Sequence, residues 1–194
     1  MNKFNFLIIS GALSTNTSII KNNIINKLTN KKVDHIYRIN DNVWSEELDI
    51  EKVNNYDVIY LDNFPIKRED IYFIDKIKSS ADKYIIYNIG PNTQNVNVLN
   101  DFFKKSNCNL IDKESTYLNN SKSLLINDIS FDLPNNKTDY YIDCNNQKSY
   151  KYDNMNTIFN KDDKNLYIFI SNYLVLNNKF NLLKQISKLQ NTKN

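Results

Sequence analysis

Asp62 is the residue whose surroundings carry the most chemistry. It ends an apolar run in the segment YDVIYLDNFP, residues 56–65, and is followed by Asn63, Phe64 and Pro65. A carboxylate at the end of a buried strand can attack a phosphoryl group when a divalent cation sits beside it. Such a cation is hard and needs further carboxylates. The first apolar run, whose end should supply them, finishes in Ile9, Ser10 and Gly11 instead. A nucleophile elbow needs small residues on both sides of a Ser or Cys, and neither Gly11 nor Gly90 is placed that way. Gly11 stands alone, without a second glycine two positions on or the lysine of a P-loop. His35, the single histidine, falls inside an expected strand, where a structural hydrogen bond is its ordinary role. With one His and two cysteines, Cys108 and Cys144, a zinc site of Cys and His ligands is excluded, and one cysteine pair is no disulfide framework. The chain is therefore expected to hold no metal and no cofactor, and not to be an enzyme.

These residues are positioned by short apolar runs that alternate with helical stretches. Residues 4–10 are nearly all apolar and stop at Gly11, the profile of a strand buried on both faces. Residues 14–18 offer capping side chains, and Ile20, Ile24 and Leu28 follow at helical spacing. Residues 33–39 (VDHIYRI) alternate as a second strand, residues 44–53 read as a short irregular helix, and residues 57–61 (DVIYL) as a third strand. A helix is expected from Arg68, with Ile71, Phe73, Ile74 and Ile77 on its apolar face. Residues 84–89 (YIIYNI) form a fourth strand stopped by Gly90 and Pro91, and a helix over residues 94–105 turns Val98, Leu99, Phe102 and Phe103 inward.

Strands alternating with helices imply parallel pairing through right-handed crossovers, hence an α/β fold with a doubly wound, mostly parallel sheet over residues 1–112. Residues 113–162 change grain. Short runs such as SLLINDISF, DYYIDC and KSYKYD, separated by Asn-rich turns, read as a β-hairpin insertion. A closing strand over residues 166–170 and a helix over 180–189 complete the sheet within a segment 163–190, giving a single domain over residues 1–194. Ligands of open parallel sheets bind beyond the carboxyl ends of the strands. The candidate ligand-binding residues are accordingly Ser10, Gly11, Asp62, Asn63, Asn88 and Gly90.

Composition narrows the partners. The 25 basic and 22 acidic residues are interleaved, the net charge is +3, and Arg38 and Arg68 are the only arginines, so no cationic stripe for nucleic acid is expected. The opening MNKFNFLIISGALS imitates a signal peptide, but Asn5 interrupts its apolar run; a cytoplasmic location is favoured over export. No apolar run approaches the ~18 residues of a membrane span. Asn, Ile and Lys are over-represented, as an AT-rich genome would make them, and the sequons at Asn16, Asn119 and Asn136 follow from that abundance. Tyr140, Tyr141, Tyr150 and Tyr152, among 13 tyrosines, offer the hairpin region as an alternative protein-interaction surface.

An Asp at the end of a third strand, followed by a proline, resembles the phosphoacceptor of bacterial receiver domains, which would make the chain a magnesium-dependent phosphotransfer switch centred on Asp62. The acidic pair after the first strand and the late Lys before a Pro that receivers carry are not in this sequence. Together, YDVIYLDNFP, YIIYNIGPN (residues 84–92), DISFDLPNN (residues 128–136) and LYIFISNYL (residues 166–174) resemble class I glutamine amidotransferase-like domains of bacterial proteins, in strand-and-turn texture and element order over most of the chain. The resemblance implies a flavodoxin-like three-layer sandwich. Members carry a Cys nucleophile on an elbow after a central strand, with His and Glu later in the chain. Here Gly90, Pro91 and Asn92 follow YIIYNI, and no His comes after His35. The resemblance therefore implies a degenerate, non-catalytic domain that binds a small ligand or a partner protein within envelope-associated proteins.

Overall fold

The structure, a computed structural model, describes residues 5–14, 17–18, 21–22, 32–80, 84–88, 96–105, 108–117, 123–126, 129–132, 137–144, 151–152, 155–156, 159–161 and 166–170. Its framework is an α/β arrangement around a mostly parallel sheet. Strands β1 (Phe6–Ser10), β2 (Val33–Asn40), β4 (Val58–Asp62), β5 (Tyr84–Asn88) and β13 (Leu166–Ile170) run parallel, in the spatial order β2-β1-β4-β5-β13. Two short antiparallel strands extend it: β3 (Val43–Trp44) beside β2, and β12 (Phe159–Lys161) beside β13.

Five of five residues in β1 and in β4 are buried, which is why both read as unbroken apolar runs rather than alternating ones. Alternate side chains of a strand go to opposite faces. On one face Leu7, Ile9, Ile36, Ile59, Leu61 and Ile85 form a cluster with residues of three helices. These are α1 (Ile50–Val53), α2 (Arg68–Ser80) and α3 (Val96–Lys104). Ile71, Ile74 and Ile77 recur every three residues along α2, and Val98, Leu99, Phe102 and Phe103 form one side of α3, as their spacing predicts. The other face of the central pair carries Phe6, Ile8 and Ser10 on β1 in register with Val58, Tyr60 and Asp62 on β4. Residues 17, 18, 21 and 22 are helical, and Thr17 reaches Asp62 on this second face, so helical chain lies on both sides of the sheet.

Several boundaries differ from those the spacing predicts. Residues 44–53 were expected to be one short helix. Instead Val43 and Trp44 turn back on β2, and only Ile50–Val53 is helical. The turn is made by Asn40, whose Oδ1 accepts the backbone N–H groups of Asn42 (3.2 Å) and Val43 (3.1 Å). Trp44 is drawn to the strand by Phe64, 5.9 Å away edge-on, and by the Arg38 guanidinium, 4.6 Å above its ring. The β-rich part begins at residue 108 rather than 113, because β6 (Cys108–Tyr117) pairs antiparallel with β9 (Lys137–Cys144). A hairpin of β7 (Ser123–Ile126) with β8 (Ile129–Asp132) and a small ribbon of β10 (Lys151–Tyr152) with β11 (Met155–Asn156) accompany it. The main sheet resumes at β12, before residue 163. The expected closing helix, residues 20, 24 and 28 of the first helix, Tyr150 and the three sequon asparagines lie outside the described residues. No helix among the described residues is long and apolar enough to cross a membrane.

Candidate functional site

In chain order the five parallel strands stand 2-1-3-4-5, so the connection leaving β1 and the one leaving β4 run in opposite directions. That divergence makes the carboxyl ends of β1 and β4 the topological switch point of the sheet. Ser10 and Asp62 are the last residues of the two strands and face each other in register. Gly11 and Asn63 begin the two loops, so four of the six expected site residues meet there. Asn88 ends the neighbouring strand β5 in register with Asp62, and Gly90 lies outside the described residues.

The side chains at the switch point are spent on one another. Asp62, Ser10 and Thr17 are all buried, at 0%, 0% and 2% exposure. Asp62 Oδ2 accepts a hydrogen bond from Thr17 Oγ1 at 2.6 Å and from Ser10 Oγ at 3.2 Å. Ser10 Oγ also lies 2.9 Å from His35 Nε2. A serine hydroxyl has a single proton, and a carboxylate can only accept. With that proton given to Asp62, Nε2 of His35 must carry the hydrogen in its own bond to Ser10. The result is a directional chain, His35 to Ser10 to Asp62, joined from the far side by Thr17. Burial, assisted by the charge of Lys21, pushes the His35 pKa down to about 4, so the imidazole is neutral at pH 7.

The loops are locked to the same end. Gly11 N–H donates to the Asp62 carbonyl at 3.0 Å, and Asn63 Nδ2 donates to the Ala12 carbonyl at 3.4 Å. A Cβ on Gly11 would collide with the carbonyl oxygen of Asn63 and come within 2.9 Å of the Ile66 side chain. Glycine is thus required by close approach of the two loops. Asn63 itself has φ 46°, the left-handed region that Asn tolerates better than most residues, and the Phe64–Pro65 bond that follows is cis. Ser14 and Thr17 cap the helical segment reciprocally. Ser14 N–H donates to Thr17 Oγ1 at 3.0 Å, and Thr17 N–H to Ser14 Oγ at 3.3 Å.

A second anchor holds the β2–β3 hairpin to the start of α2. Arg38 Nη2 donates to Asp70 Oδ1 at 2.5 Å, with both side chains 8% exposed. Asp70 Oδ2 accepts the backbone N–H groups of Ile66 (2.9 Å) and Lys67 (3.0 Å), the reach-back of a carboxylate in the first helical turn. Sequence reasoning missed this pair, and it missed His35 and Thr17 as members of the switch-point chain. The spacing carried neither the pairing of β2 with β1, which brings residue 35 near residue 10, nor the seating of α2 beside β2, which brings residue 38 to residue 70.

Two chemical consequences follow. A phosphoacceptor carboxylate must be open to in-line approach, and Asp62 is fully buried with one oxygen held by two hydroxyls. Among the described residues no group of three or more His, Cys, Asp and Glu is placed to hold a metal ion. Second, three apolar side chains are exposed at this end, beside the exposed polar turn of Asn40, Asp41 and Asn42. Leu13 in the loop after β1, Ile39 at the end of β2 and Val43 in β3 are 54%, 60% and 46% exposed. In comparisons with known proteins, no family model matches the chain and no curated protein matches it.

Proposed function

We propose that the chain is a non-catalytic binding module on a doubly wound, flavodoxin-like scaffold of the amidotransferase-like kind. In this reading it docks a partner protein on the carboxyl edge of its sheet. The observation that carries the reading is the contrast at that edge. At the strand ends the polar side chains of Ser10, Thr17 and Asp62 are buried and satisfy one another, whereas on the flanking loop and hairpin Leu13, Ile39 and Val43 are exposed beside the polar turn of Asn40, Asp41 and Asn42. Polar groups consumed inside the fold position the loops and have little left for a substrate. Apolar side chains held out on those loops lose water when a partner covers them, at roughly 25 cal/mol per Å². The parallel strand order 2-1-3-4-5 is that of flavodoxin-like sheets and supports the scaffold part of the proposal.

The test replaces the exposed side chains together, as Leu13→Asp, Ile39→Asp and Val43→Asp. All three are at least 46% exposed, so the variant should unfold at nearly the urea concentration of the parent. In extracts of the native source the parent chain should migrate in a complex larger than itself on size exclusion, and the variant as the free chain. A variant that stays in the complex would refute the docking surface.

A further inference from the structure

The two cysteines of the chain, Cys108 and Cys144, are directly opposite each other where β6 begins and β9 ends. They are far apart in sequence, and the antiparallel register alone brings them together. Opposed residues of an antiparallel pair share a face, with Cα atoms ~4.5–5.5 Å apart. Disulfides span Cα separations of about 4.4–6.8 Å. The ribbon also has a use for a fastening. β6 and β9 form a two-stranded sheet separate from the main one, and their register shifts between Asp112 and Thr116. A two-stranded ribbon is marginal by itself, and a slip of one residue exchanges its faces.

We infer that Cys108 and Cys144 form a reversible disulfide that pins the β6–β9 register, with a low-molecular-weight disulfide such as oxidised glutathione as the oxidant. One cysteine thiolate attacks a sulfur of the oxidant, breaking its S–S bond, releasing one thiolate and leaving a mixed disulfide. The second cysteine thiolate attacks the protein sulfur of that mixed disulfide and releases the other thiolate. In sum, the two cysteine thiols lose two protons and two electrons and become one S–S bond, while the oxidant becomes two thiols.

The full chain, purified reduced, would be equilibrated in glutathione buffers from reducing to oxidising, its free thiols blocked with N-ethylmaleimide, and its peptides mapped without reduction. The expected result is one linked peptide pair, 108 to 144, within the monomer. The same experiment in urea should lower the equilibrium for that bond by on the order of tenfold or more, since unfolding removes the effective concentration set by the ribbon. The inference is overturned if both thiols stay blocked by the reagent throughout, or if they end as separate glutathione adducts or intermolecular dimers. Equal bond formation in urea would likewise show that the register does not pair them.

Discussion

Asp62 gathers the hydroxyls of two elements, and its replacement therefore tests structure before chemistry. Asp62→Ala would leave Ser10 and Thr17 buried without their acceptor. We expect a loss of about 2–4 kcal/mol, against about 1–2 kcal/mol for Ser10→Ala, read from urea midpoints. Small and equal losses in the two variants would mean that the chain of hydrogen bonds contributes little. His35 adds a pH dependence with a definite sign. Its pKa falls from the ordinary 6.5 to about 4 in the fold because of burial and then Lys21. Between those values the unfolded chain binds a proton that the folded chain does not, so stability declines as pH falls from 6.5 towards 4. The partly exposed ring limits this to on the order of 1–2 kcal/mol. Urea titrations at pH 7 and pH 4.5 should show a smaller difference for His35→Gln than for the parent; identical differences would contradict the assignment. From sequence, Asp62 and Ser10 could be picked out because strand ends are readable. His35 and Thr17 could not, since nothing in a linear pattern says which strand lies beside which.

At the scale of elements, a buried ion pair joins the β2–β3 hairpin to α2. The ion pairs Lys52–Glu46, Arg68–Asp101 and Lys105–Asp75 have side chains 41–78% exposed, where such pairs contribute about 0–1 kcal/mol. Arg38 and Asp70 are 8% exposed, and removing one partner of a buried pair costs about 3–5 kcal/mol, because the other charge is left in the core. Arg38 Nε and Nη1 have no hydrogen-bond partner, so Asp70 is its main compensation. Asp70→Ala should therefore destabilise by that amount and also remove the carboxylate that accepts the N–H groups of Ile66 and Lys67. Arg68→Ala should stay within about 0.5 kcal/mol. Thermal or urea unfolding of the two variants decides, and comparable losses would contradict the ranking. Helices α2 and α3 were legible because isoleucines and phenylalanines recur on one side of each. The β2–β3 hairpin was not, since its turn rests on the Asn40 side chain in a chain full of asparagines, and Trp44 suits a helix as readily as a strand.

For the molecule as a whole, the alternation of apolar runs with helical stretches made the parallel sheet legible, and burial of every residue in β1 and β4 explains why those runs were unbroken. The exposed apolar side chains of the carboxyl edge were not legible. Ile39 reads as an ordinary alternating strand residue and Leu13 as a residue beyond the apolar run that stops at Gly11; only the fold shows them uncovered. The central claim is that this edge receives a partner protein. Its most direct test places a photo-crosslinking amino acid at Ile39 in the native source, with Tyr72 as the control position. Tyr72 is 67% exposed on α2, outside the carboxyl edge. The account predicts one discrete protein adduct from position 39 and none from position 72. No adduct at position 39, or the same adducts from both positions, would contradict it.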